Sequence, residues 1–145
     1  MFGIHIILFL YNRGDTQSPI NVKNNLHLRL DLRVVLDDHL EVLTGEFVSK
    51  KARNEVKRKG DLMKSLMSSK SSLNYILARV GDKKMDLSTI YLPFLQVCGL
   101  DLTLNVLSMD KPGSYLCQEV ERLTYPTNFF EIRKGRLAGA YVYPS

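Results

Sequence analysis

Between Leu26 and Leu36 apolar and polar residues alternate strictly, with Leu26, Leu28, Leu30, Leu32 and Val34 on one side and His27, Arg29, Asp31 and Arg33 on the other. A period of two marks an extended strand with one buried face. After "DDH" at 37–39, Leu40 to Val48 forms a second extended run, so the two predict a β-hairpin. From Ser49 the period lengthens. Ala52, Val56, Met63, Leu66, Met67, Leu73, Ile76, Leu77 and Val80 recur three and four residues apart with Lys and Ser between them. That spacing predicts a helix from Lys50 to about Arg79 whose Met and Leu stripe faces the core. Gly60 and Asp61 predict a kink, or a break at which Asp61 caps a second helix, and "SSKSS" at 68–72 a further interruption.

Three more extended runs follow, Ile90 to Cys98, Leu100 to Met109 and Tyr115 to Leu123. "DKPG" at 110–113 turns between the last two, because proline presets its own φ and glycine tolerates a positive one. Pro93 lacks an amide hydrogen and so predicts an edge or a bulge for its strand. The expectation is an α+β fold in a single domain: a β-hairpin, a long basic-faced helix, then antiparallel strands extending one mixed sheet. Residues 26–126 form its core. Residues 127–145 make a C-terminal tail. Residues 1–25 hold an apolar strand, "MFGIHIILFLY", and a loop rich in turn formers from Asn12 to Asn25. The apolar run is too short to span a bilayer and carries no flanking cations or cleavage site. Its abrupt opening suggests a chain that begins inside a longer protein.

At 145 residues, with 45% hydrophobic and 24% charged residues, the chain can bury a core without disulfides or metal. Charge changes the picture more than composition does. Lys50, Lys51, Arg53, Lys57, Arg58 and Lys59 stand against the single acid Glu55, and together they account for the whole net charge of +5. Clustered cations sum their potentials toward a polyanion, although a solvated helix face has the same composition. Cys98 and Cys117 lie in apolar runs away from any zinc-type ligand set. They predict reduced, buried thiols in an intracellular protein, the nucleus included.

The polar side of the hairpin carries two acids, Asp31 and Glu46. A two-residue turn at Asp37 and Asp38 sets Leu36 across from His39, Asp31 across from Thr44 and Glu46 across from Arg29. Asp31 and Glu46 are then diagonal neighbours, with Cβ atoms roughly 7 Å apart or less, near enough to share one divalent cation. A three-residue turn would send one of them to the opposite face. The apolar residues favour the shorter turn, which lays Leu32 against Leu43 and Leu28 against Phe47 on the buried side. The competing reading pairs the acids with Arg29 and Arg33 as an exposed, self-balanced surface, where each pair contributes about 0–1 kcal/mol.

"LDLRVVL" around the first acid and "GEFVSKK" around the second, followed by a helix, resemble the PD-(D/E)XK (restriction-endonuclease-like) nuclease superfamily. The likeness runs over about Leu26 to Pro126. It extends to a group of uncharacterised fungal proteins in which a "DLR" strand, a "DD" turn and an acid–aromatic pair precede a basic helix. The resemblance implies that Asp31 and Glu46 hold Mg²⁺ and that a lysine near the second acid activates the attacking water. The family places this lysine where the present chain has Val48. Lys50, two residues on and of the same parity, is the implied catalytic lysine, ahead of Lys51. The family's upstream helix often supplies a third acid, but Met1 to Tyr11 contain no Asp or Glu.

The implied activity is metal-dependent hydrolysis of DNA or RNA phosphodiesters, or an inactive fold of the same type. Lys51, Arg53, Lys57 and Arg58 would hold the nucleic-acid backbone without reading sequence. The alternative class is a non-catalytic interaction module that binds nucleic acid or an acidic protein through the basic helix. No Gly-x-Ser-x-Gly elbow or phosphate-cradling glycine loop is present, and His5, His27 and His39 are scattered. Tyr115, Tyr125, Phe129 and Phe130 could stack on bases or pack in the core.

Overall fold

The run beyond Asp31 forms strand β3 (Leu32–Leu36), antiparallel to β4 (Leu40–Val48). A computed structural model shows how the chain continues from this hairpin, describing residues 16–36, 40–49, 54–80, 86–128 and 130. The strand expected at Met1 to Tyr11, the turn residues 37–39, the basic residues Lys50, Lys51 and Arg53, and the tail from 131 lie outside the described residues. Helix α2 (Glu55–Val80) leads from β4 to β5 (Leu92–Cys98), which pairs parallel with β4. A parallel neighbour requires such a crossover, and the 26-residue helix, roughly 39 Å long, supplies it. Strands β6 (Asp101–Lys111) and β7 (Ser114–Thr124) then add antiparallel, so the five-stranded mixed sheet has the order β3-β4-β5-β6-β7. The α+β class and the extension of the sheet by a meander are as the periodicity predicts.

Several local expectations are corrected. The long first strand is interrupted at Asp31, and its earlier part, β2 (Arg29–Leu30), pairs instead with β1 (Thr16–Gln17). The segment 12–25, expected to be loop, contains β1 and a short helix α1 (Pro19–Lys23). Ser18 caps that helix by accepting from the Asn21 amide, and Pro19 occupies its first turn, where no amide hydrogen is needed. Helix α2 runs unbroken through Gly60, Asp61 and the serines. Asn54 starts it, its side chain accepting from the Lys57 amide at 2.7 Å. Pro93 is in the central strand of the sheet. It pairs with Val106 of β6 and precedes Phe94, the first β5 residue paired with β4, so its missing amide hydrogen takes nothing from the β4–β5 pairing. Pro112 and Gly113 make the β6–β7 turn as expected, Gly113 at φ +82°.

The larger correction concerns which face is buried. Helix α2 lies on the sheet face carrying Thr44 and Glu46, while Leu32, Val34 and Leu43 on the other face are only half-buried and Phe47 is exposed. The helix meets this polar face with small polar residues. Asp61, Ser65, Ser68, Ser69 and Ser72, spaced by three and four, are buried, whereas Val56 and Met63 are exposed. Serine lets the helix approach the sheet closely, and its hydroxyl can be shared with a neighbour: Ser68 accepts from Asn21 Nδ2 of α1 at 2.8 Å. The apolar core sits toward the helix C-terminal half, where Leu73 joins Leu92, Phe94, Leu107 and Met109, with Leu62, Leu66, Ile76 and Leu77 packed around them. Among the described residues no helix is long and apolar enough to cross a membrane. Both cysteines are free, but Cys117 is exposed rather than buried, and β6 separates its strand from that of Cys98.

The hairpin end of this polar face is held by an ion pair. Glu41 is fully buried, and its Oε1 receives Nε of Arg33 at 2.6 Å, while Arg33 Nη1 also donates to the Gln17 carbonyl at 2.9 Å. The guanidinium therefore ties β1 and β3 to β4. Removing it would leave a buried carboxylate unpaired, which typically costs about 3–5 kcal/mol. Arg33→Met is expected to lower unfolding free energy in urea by that order, and Arg33→Met combined with Glu41→Met to recover most of the loss. An equal loss in the single and double variants would show that the pair does not hold the hairpin.

Candidate metal and nucleic-acid site

The β3–β4 register decides whether the two acids meet. Leu36 pairs with Leu40, so three residues separate the strands, and this alone would put Asp31 and Glu46 on opposite faces. A bulge between Val34 and Val35 adds a second one-residue shift, after which Arg33 pairs with Thr44 and Leu32 with Gly45. The two shifts cancel in parity. The ladder ends at Leu32 and Gly45; Asp31, the next residue, lies at the bend beside Glu46 and close enough for its charge to act on that carboxyl, and Thr44 pairs with Arg33 rather than with Asp31. Gly45 permits the close approach, since a Cβ there would stand 3.2 Å from Leu32 Cβ.

Asp31 occupies the bend where the β2 and β3 pairings change partners, and its Oδ2 accepts from the Phe47 amide at 2.8 Å. Glu46 is 3% exposed; its Oε2 lies 2.9 Å from Lys64 Nζ, and its Oε1 is buried with no hydrogen-bond partner among the described residues. Lys64 belongs to α2 and also lies 3.4 Å from Oδ1 of Asp61, three residues earlier on the same face. Asp61 Oδ2 is likewise buried without a partner among the described residues. The site thus gathers three carboxylates and one ammonium from the β2–β3 bend, β4 and α2.

Burial pushes the Glu46 carboxyl from 4.5 to about 7, against the pull of Lys64, and the charges of Asp31 and Asp61 add to the rise. For Lys64 burial opposes the charge, yet bonding and attraction to Glu46, with Asp61 behind, hold its pKa above the usual lysine value. Arg33, which the competing reading pairs with these acids, is committed to Glu41 instead. Among the described residues no three His, Cys, Asp or Glu side chains form a ready-made metal cluster.

Of the residues singled out in the sequence, Asp31 and Glu46 are brought together, whereas Lys50, Lys51 and Arg53 lie outside the described residues. Lys57 and Arg58 are exposed in the first turns of α2. Asp61 and Lys64 were not anticipated. Their i, i+3 spacing on a predicted helix was a visible signal, but Asp61 reads equally well as a cap. Tyr115 packs against the core and donates its hydroxyl to Asn74, so it is not a free stacking surface. Tyr125 and Phe130 are exposed, and Phe129 lies outside the described residues. No family model, curated protein or solved structure matches the chain.

A carboxyl that titrates higher in the folded state than in the unfolded chain binds more protons when folded, so stability from it falls as pH rises between the two values. For Glu46 that window is from 4.5 to about 7. Thermal midpoints are expected to fall from pH 5 to pH 7.5, and Glu46→Gln to flatten this slope. An unchanged slope in Glu46→Gln would place the titrating group elsewhere.

Proposed function

We propose that the chain is a nuclease-like domain that hydrolyses phosphodiester bonds of DNA or RNA with the help of Mg²⁺. The supporting observation is the proximity of Asp31 to Glu46, together with carboxylate oxygens of Glu46 and Asp61 that are buried without donors among the described residues. Hard divalent cations select such oxygen donors, so these residues fit the ion the reading requires. Asp31 and Glu46 would hold it, with Asp61 on the other side of Lys64. The bound ion would polarise a phosphoryl oxygen and lower the pKa of a coordinated water. Lys64 replaces Lys50 in this reading as the cation beside the second acid. Its ammonium stays protonated and can stabilise negative charge that develops on the phosphate. Lys57 and Arg58 attract the polyanion.

One observation favours a second reading. Lys64 already neutralises Glu46 and part of Asp61, which would suit a self-contained ionic core in a fold without catalysis. The domain would then be an interaction module that binds nucleic acid through the basic start of α2. Mg²⁺ separates the two. A bound ion stabilises the folded state by about 2.7 kcal/mol at a hundred times its Kd, so millimolar Mg²⁺ should raise the thermal midpoint only on the nuclease reading.

Cleavage of single- and double-stranded DNA and RNA with Mg²⁺ or Mn²⁺ is the direct test. Groups one shell removed from a metal already change activity by about 10–100-fold, so Asp31→Ala and Glu46→Gln should each reduce cleavage at least that much. Lys64→Met should reduce it while retaining the Mg²⁺-dependent rise in midpoint. Cleavage that persists in Asp31→Ala would remove this site.

A further inference from the structure

The paired residues Glu46–Gln96, Gln96–Thr103 and Thr103–Arg122 form one continuous row across β4, β5, β6 and β7. Direct partners share a face, so the row stays on the side of α2 to which Glu46 points. Strand spacing makes it roughly 14 Å from the Glu46 backbone to that of Arg122. Beyond Glu46 the row opens into a cleft of about 190 Å³, lined by Arg58, Gln96, Cys98, Asp101, Thr103 and Arg122. Two guanidinium groups from different elements, the first turn of α2 and β7, thus face one cavity immediately beside the acid cluster. Among the described residues the cleft is lined by one carboxylate, Asp101, whose Oδ1 accepts from Thr124 Oγ1 at 2.9 Å. Glu119 engages Nη2 of Arg122 at 2.8 Å, but a guanidinium carries five N–H donors and can serve a second anion.

We propose that this cleft is a phosphate subsite for a polynucleotide strand, in which Arg58 and Arg122 grip a backbone phosphate and Gln96 and Thr103 offer hydrogen bonds along the path to Glu46. A planar guanidinium matches a phosphate with two parallel N–H donors, and two from separate elements fix its position better than lysines on one helix face. This inference deepens the phosphodiester reading above by naming where the strand is held away from the reacting bond.

Cys98 is a free, half-buried thiol inside the cleft and serves as a local reporter. In the full chain carrying Cys117→Ser, without divalent metal, a labelled single-stranded DNA oligonucleotide is titrated by fluorescence anisotropy while iodoacetamide alkylation of Cys98 is followed by mass. At ten times its Kd the oligonucleotide should slow alkylation by about tenfold, because only the free protein reacts. Arg58→Ala with Arg122→Ala should weaken binding at least tenfold and remove the protection. Lys111→Ala, which deletes one cation at the other end of β6, should change neither. Inorganic phosphate should protect only at far higher concentration.

Unchanged binding in the double arginine variant overturns the assignment, as does failure of the oligonucleotide to bind. Protection by inorganic phosphate equal to that by the oligonucleotide would instead make the cleft a site for small phosphoryl ligands. Because binding is read without metal and cleavage with it, loss of the nuclease reading and loss of this subsite are separate outcomes.

Discussion

Helix α2 covers the polar face of its sheet, and this placement imposes a demand that the rest of the structure meets. A carboxylate taken out of water must be paired, protonated or bound to a cation. Two acids of β4 lie under the helix, and each has a different answer. Glu41 is matched by Arg33 from the neighbouring strand, a contact that also fastens β1. Glu46 is matched by Lys64 from the helix itself, and only incompletely, because Asp61 competes for the same ammonium and Asp31 adds a further negative charge. One pair is closed and structural. The other retains excess negative charge and, among the described residues, carboxylate oxygens without donors.

Small side chains allow this arrangement. Ser65, Ser68, Ser69 and Ser72 sit along the line of α2 that faces the sheet, next to the stripe containing Leu62, Leu66, Leu73, Ile76 and Leu77. The helix therefore rests on two adjoining stripes of unlike character. Leu73 of its C-terminal half joins the apolar core and Ser72 reaches Glu41, while Asp61 and Lys64 of its N-terminal half meet Glu46. Arg58 of α2 and Arg122 of β7 line one cleft, at the far end of the sheet row that begins at Glu46. Cations at one end and carboxylates at the other lie along one row, the polarity on which the proposed function rests.

Periodicity alone made most of the fold legible. The change from a period of two to one near four and back again located β3 and β4, α2 and the meander β5–β7. Pro112 and Gly113 marked the last turn for reasons confined to their own backbones. The pair Asp31 and Glu46 was legible as an acid on each strand of a hairpin, since parity along a strand is a local property. The apolar stripe pointed the wrong way, however, because hydrophobicity tells that a strand has two unlike faces but not which of them a helix will cover. Serine, weakly polar and small, gives no strong signal of either burial or exposure, so the buried line of α2 was invisible to pattern.

The chain's local chemistry by itself determined the elements, their order, the clustered charge before α2 and the shared parity of two acids. Tertiary structure alone decided the partners: a three-residue loop offset by a bulge set Asp31 beside Glu46, α2 delivered Asp61 and Lys64, and β7 brought Arg122 to Arg58. The physical reason is distance along the chain. A turn or a strand is set by neighbours a few residues away, whereas ion pairs between residues 18 positions apart, such as Glu46 and Lys64, exist only once the helix has packed and excluded water from between them.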